Sequence, residues 1–160
     1  VDVRGVLRPD HEIRLRLGTR SIAVDGSWFT GEGLGEARLG ARRLLLGVRP
    51  QHLALAEAGA GGPGVLSGRL YALEALGSET IVDVELDGTV LRAWCKTRSL
   101  PWPALAIGAP VGLRVLPGSV FLFDRAGGAT LALPDLSVME RYLTEGAPKT
   151  TGVPRAEALT

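Results

Sequence analysis

A chain of 160 residues with a formal net charge of +1 is long enough to bury one sizeable core, and its charge gives no reason to expect nucleic acid or an anionic membrane. Hydrophobic residues make up 46% and charged residues 22%, the balance of an ordinary globular protein. The single cysteine, Cys95, excludes a disulfide within the chain and fits a reducing cytoplasm, and no apolar run approaches the ~18 residues of a spanning helix.

The dominant period is two. Ile13, Leu15 and Leu17 alternate with Glu12, Arg14 and Arg16, Gly18-Thr19 interrupts, and Ile22 and Val24 resume the alternation. That predicts a hairpin with one wet face. Asp25 to Gly40 is rich in Gly and Glu and reads as loop with an interrupted short strand. Leu44 to Arg49 is a nearly continuous apolar run, which predicts a strand buried on both faces and stopped by Pro50.

Gly59 to Gly64 is the clearest breaker cluster and divides the chain into a part near 1–58 and a part near 64–133. Beyond it, Val82, Val84 and Leu86 alternate with Asp83 and Glu85, Asp87-Gly88 supplies a two-residue turn, and Thr89 to Trp94 returns. Asp-Gly tolerates the positive φ angles that a tight hairpin demands. Further strands are predicted at Val111–Val115, Val120–Phe123 and Thr130–Leu133, with prolines keeping the stretch from Pro101 to Pro110 irregular. Ser137 with Glu140 has capping-box spacing, and Leu136, Met139 and Leu143 share a helical face. One short helix is expected there, followed by a loose tail from Ala147.

Many short strands, frequent Gly/Pro turns and almost no helix predict a mainly β protein, a small barrel or sandwich. The chain begins at Val1 without a methionine, as a piece of a longer protein would.

Three segments resemble a known family. Gly47-Val48-Arg49-Pro50-Gln51-His52-Leu53-Ala54-Leu55 is similar to a segment of the domain that follows the nucleotide-binding domain in ABC-importer ATPases of the maltose and glycerol-phosphate type. Gly68 to Thr80, with Glu74, Gly77 and Glu79, resembles that domain's next motif, and Phe121-Leu122-Phe123-Asp124 resembles its closing one. The appended domain is called TOBE. The resemblance implies OB-like barrels of the TOBE type over residues 1–133, with strands drawn from 1–58 and 64–133, and a helix and tail over 134–160. It implies a regulatory, dimer-contacting domain of a sugar importer. Its partners would be the nucleotide-binding domain, a second copy of the subunit and, indirectly, the membrane permease. That places it in the cytoplasm, peripheral to the inner membrane. ATP and magnesium belong to the parent protein, and no cofactor or nucleic acid is expected for this chain. Gln51 stands where the family carries Glu, so no local pair between Arg49 and a carboxylate follows from the motif.

Read from their own chemistry, these motif residues are structural. Gly47 implies a bulge or close backbone approach, Pro50 ends the strand, and Arg49 can donate to carbonyls around the corner. Gly77 allows a turn between strands, Phe123 reads as core, and Asp124 caps the turn after it.

Catalytic chemistry is absent. No G-x-x-x-x-G-K-[ST] occurs, and Lys96 and Lys149 follow Cys95 and Pro148, so neither sits in a phosphate loop. Leu66-Ser67-Gly68 opens like a transporter signature but continues Arg69-Leu70 on a predicted strand. Two histidines, His11 and His52, with one cysteine make a poor zinc set. Asp83 and Glu85 share a strand face without a partner base and read as a solvated face.

Two other function classes compete. An OB-like barrel with Arg14, Arg16 and Arg20 could bind single-stranded nucleic acid, but that hairpin lacks the aromatics such binders use. Alternatively, related domains hold oxyanions at subunit interfaces through backbone N–H groups and hydroxyls, for which no contiguous Ser/Thr-rich stretch is evident here.

Overall fold

The computed structural model describes residues 2–7, 12–17, 20–30 and 43–146. The Gly18-Thr19 turn, His11, most of the Gly-rich loop before Gly40 and the tail from Ala147 lie outside them. The described residues fold mainly as β-strands, with one short α-helix near their C-terminal end.

Among the described residues twelve strands run β1 Asp2–Leu7, β2 Glu12–Leu17, β3 Arg20–Asp25, β4 Phe29–Thr30, β5 Arg43–Val48, β6 Leu53–Ala56, β7 Val65–Ala75, β8 Glu79–Leu86, β9 Thr89–Lys96, β10 Pro110–Val115, β11 Val120–Asp124 and β12 Thr130–Pro134. Helix α1 spans Leu136–Glu145. A seven-stranded sheet has the order β3-β2-β1-β5-β11-β12-β4, and a five-stranded sheet has the order β6-β10-β7-β8-β9. The buried side chains form one cluster that draws on both sheets, from Ile22, Leu44 and Leu122 to Leu70, Val84 and Leu113.

The Gly59–Gly64 cluster does not separate the two sheets. It joins β6 to β7, both in the five-stranded sheet, while the chain crosses between sheets at Arg49 to His52. There the strand end is fixed by Pro50, which opens a single 3-10 turn closed by Arg49 O accepting from His52 N at 2.9 Å. The glycines seen in sequence therefore mark a connection within one sheet rather than a boundary between the two. Gly64 itself bridges the sheets: its N–H donates to Ala23 O on β3, and its carbonyl accepts from Val115 N on β10 at 2.8 Å. A second tie runs from Arg20, whose guanidinium donates to Asp87 Oδ1 at 3.0 Å and to Ser67 O.

The β2–β3 hairpin forms in the expected register, Leu17 opposite Arg20, with Ile22 and Val24 buried and Ser21 and Asp25 exposed. Strand β5 is central, between β1 and β11, but only half as dry as predicted. Leu44 and Leu46 are buried, whereas Leu45 and Gly47 lie on a half-covered face. On that face Phe123 is half-buried rather than core, stacked on Phe121 with ring centroids 6.1 Å apart. A Cβ on Gly47 would come 3.0 Å from the Phe123 ring, so the glycine makes room for the aromatic pair and the close-approach reading applies.

The β8–β9 hairpin turns at Asp87-Gly88, with φ of 48° and 81°, the signature of a primed turn. A Cβ at Gly88 meets nothing within 4 Å, so a substitution there costs only conformational energy. Gly88→Val is expected to lower stability by roughly 1 kcal/mol, read as a shift in the urea midpoint at constant slope.

Helix α1 is capped differently from its sequence pattern. Asp135, not Ser137, is the N-cap, and its carboxylate accepts from Ser137 N at 3.0 Å and Ser137 Oγ at 2.6 Å. An acceptor two residues earlier fits because Asp135 has an extended backbone. The inward face also differs: Val138, Met139 and Tyr142 are half-buried, while Leu136 and Leu143 face solvent.

Candidate functional site

The Asp83–Glu85 pair is not a solvated carboxylate face. Asp83 is buried and takes a bidentate pair from Arg92 directly across the β8–β9 ladder, Oδ1 to Nε and Oδ2 to Nη2 both at 2.8 Å. The Arg92 hydrogen bonds hold the Asp83 carboxyl below the usual carboxylate range against the opposing effect of burial. The carboxylate is thus occupied as a cross-strand staple and is unavailable for acid–base work.

A polar corner of the five-stranded sheet forms where β7 turns into β8. Leu76 N donates to Glu79 O at 2.8 Å, closing a turn in which Gly77 has φ +84°. The segment leaving β9 locks onto this turn: Thr97 N donates to Ser78 O at 3.0 Å, and Thr97 Oγ1 donates to Gly77 O at 2.7 Å. The Thr97 hydroxyl has then spent its one proton. In the 2.9 Å contact between Thr80 Oγ1 and Thr97 Oγ1, Thr80 must therefore donate. This satisfies Thr80, a fully buried polar residue. Lys96 Nζ pairs with Glu79 Oε1 at 2.8 Å, and Trp102 Nε1 donates to Thr97 O at 2.8 Å.

The inner hydroxyls of this corner are committed; the outer groups are not. Ser78, Arg98 and Ser99 are exposed, and their side chains have no hydrogen-bond partner among the described residues. Two hydroxyls and a guanidinium on a rigid turn are the donors a tetrahedral oxyanion accepts from.

Gly77 and Glu79 lie at this corner, and Glu74 is exposed near the end of β7. Gly47, opposite Phe121 and close to the Phe123 ring, lies in the other sheet, so the motif residues form two groups rather than one site. Asp124 accepts from Ala126 N at 2.9 Å and from Gly128 N through its carbonyl, capping its turn as its chemistry implies. Arg49 is exposed and makes no side-chain hydrogen bond among the described residues, because the corner closes through backbone atoms instead. Ser78 lies within the Gly68–Thr80 motif, but neither it nor Thr97, Arg98 or Ser99 stands out in the sequence as an anion donor. The signal was present, since pairing about Asp87-Gly88 puts Glu79 opposite Lys96 and so brings the two short hydroxyl-bearing segments together.

His52, in the crossover, buries its Nδ1 without a hydrogen-bond partner among the described residues. Burial and then the Arg49 charge hold its pKa below 6.5. At higher pH it is neutral folded or unfolded. As pH falls below 6.5, the unfolded chain takes the proton first and stability drops, levelling only below the folded pKa. Chemical denaturation between pH 8 and 5 is expected to show this loss, and His52→Gln to flatten it.

Among the described residues no group of three or more His, Cys, Asp and Glu could hold a metal ion, and no helix is long and apolar enough to cross a membrane.

Residues 46–123 match the model of the TOBE domain family. The chain carries a TOBE domain. The match spans β5 to β11, and therefore includes the whole five-stranded sheet, the crossover and the candidate corner. A TOBE domain is a binding and regulatory module rather than a catalytic one. No curated protein matches the chain. Among solved structures it is similar to ModG, a cytoplasmic molybdate-binding protein crystallised with molybdate bound. The TM-score is 0.56 at 15% identity, over 76% of this chain and 94% of that one. At this identity the likeness is one of fold, and it extends beyond the TOBE match.

Proposed function

We propose that this chain is a regulatory module that binds a small tetrahedral oxyanion of the molybdate class. The observation that carries the reading is the clamped corner of Gly77–Thr80 and Lys96–Ser99, which presents two free hydroxyls and a free guanidinium on rigid backbone. Charge-assisted hydrogen bonds from such groups suit an anion, and the preformed turn reduces the ordering cost of binding. The fold shared with a molybdate-binding protein supports the same ligand class.

A second reading, a dimer-contacting domain of an ABC importer ATPase for carbohydrate, draws on the three sequence segments and the TOBE match. In both, the parent is an ATP-hydrolysing transporter subunit in the cytoplasm, peripheral to the inner membrane. Calorimetry of the chain with molybdate, tungstate and sulfate separates them. The oxyanion reading expects saturable binding, weakened about tenfold by Arg98→Ala, the scale of one charge-assisted hydrogen bond. Heat no different from dilution for all three anions would leave only the second reading.

A further inference from the structure

Strands β7, β8 and β9 turn one face outward, and their ladders fix which side chains share it. On β9 that face carries Val90, Arg92, Trp94 and Lys96, all exposed. Register sets Trp94 opposite Ile81 and Ile81 opposite Glu74, so one row of side chains crosses the three strands. The row spans on the order of 10 Å. Trp94 is 48% accessible, a large aromatic that the described residues leave half uncovered.

Most polar groups on this face are already spent. Arg69 donates to Gly108 O at 2.9 Å, and Glu85 accepts from Gly88 N. Lys96 pairs with Glu79, and Asp83 takes the Nε and Nη2 of Arg92. What stays free converges on the Trp94 row. The Trp94 Nε1 and the exposed Glu74 carboxylate have no hydrogen-bond partner among the described residues. The Arg92 bonds leave its Nη1 unused, and the guanidinium feels the Glu74 charge after the larger effect of Asp83.

Two donors and one acceptor therefore surround an exposed aromatic ring. A polyhydroxylated ligand needs this set, because each hydroxyl both donates and accepts, while the C–H face of a sugar ring packs on an aromatic one. The charge balance also fits a neutral ligand. The three strands hold three cations, Arg69, Arg92 and Lys96, against four carboxylates, and each cation is already bonded. Single-stranded nucleic acid fits less well, because its phosphates call for free cations along a track.

We infer that the outer face of β7–β9 binds a neutral carbohydrate, with one ring stacked on Trp94 and its hydroxyls bonded to Glu74 and Arg92. The Arg92–Asp83 and Lys96–Glu79 pairs brace the ladder on either side of the indole, so the platform is ordered before the ligand arrives. It is a site on this chain itself, apart from any solute a parent transporter moves. It also stands whether or not the corner takes an oxyanion, because Ser78, Arg98 and Ser99 have no part in it.

The test is NMR of the indole and backbone N–H groups of the labelled chain, without oxyanion, titrated with cellotriose and with maltotriose. Trp94→Phe assigns the Trp94 indole among the three tryptophans. Saturable movement of that resonance and of the Ile81 and Arg92 amides is expected with at least one trisaccharide. Trp94→Ala and Glu74→Gln should each weaken binding about tenfold or more, read from the backbone amides. Both side chains are exposed, so the urea midpoint should stay within error of the parent. A Trp94 indole that stays still at tens of millimolar of both sugars, shifts centred elsewhere, binding indifferent to both substitutions, or tighter binding of a deoxythymidine oligonucleotide on the same face would each overturn the inference.

Discussion

Gly64→Ala is expected to be among the most damaging single-methyl additions this chain can suffer, costing about 3 kcal/mol or more. Gly64 has φ +74°, a region that L side chains resist. A Cβ there would also lie 2.7 Å from Trp28 Cη2 and 2.8 Å from Val115 O. Neither neighbour can easily yield. Trp28 is buried in the common core, and Val115 O belongs to the strand whose N–H bonds Gly64 in return. Backbone strain and overpacking therefore act together at the point where the two sheets are hydrogen-bonded. Urea denaturation of variant and parent measures the loss. A midpoint within error of the parent would show that the sheets are not joined through this residue.

Trp28→Ala is expected to cost about 3–5 kcal/mol, the range for removing a buried large aromatic. The side chain fills the space against Gly64, and its backbone carbonyl accepts from Asp135 N at 2.8 Å at the entry to α1. Because the two residues touch, their effects should not add. In the Trp28→Ala background the extra methyl of Gly64→Ala has room on one side, so the double variant should be more stable than the sum of the singles implies. Strict additivity would mean that the strain at Gly64 comes from φ and the Val115 carbonyl alone.

Much of the fold was legible because its local signals were strong. Asp87-Gly88 fixed a hairpin and its register, and the alternation around Ile22 and Val24 fixed another. Strand exchange between the sheets was less legible. Gly59–Gly64 looks like a boundary, yet the chain changes sheet at Arg49 to His52, where a single proline turn suffices. Asp83 was misread because an alternating carboxylate looks wet unless its partner across the ladder, Arg92, is paired explicitly. The candidate corner was hidden for a related reason. Its hydroxyls come from segments at the two far ends of one hairpin, and no window along the sequence contains both. The exposed faces of Leu136 and Leu143 depend on where α1 docks, and the helical period leaves that orientation open.

The central claim is that the corner at Ser78 and Lys96–Ser99 receives an oxyanion. Two-dimensional amide NMR of the labelled chain, titrated with molybdate, locates the ligand residue by residue. The account predicts saturable shifts centred on the amides of Gly77 to Glu79 and Thr97 to Ser99, moved to about tenfold higher molybdate in Arg98→Ala. Shifts confined to any other surface, or a spectrum unchanged at millimolar molybdate, would contradict it.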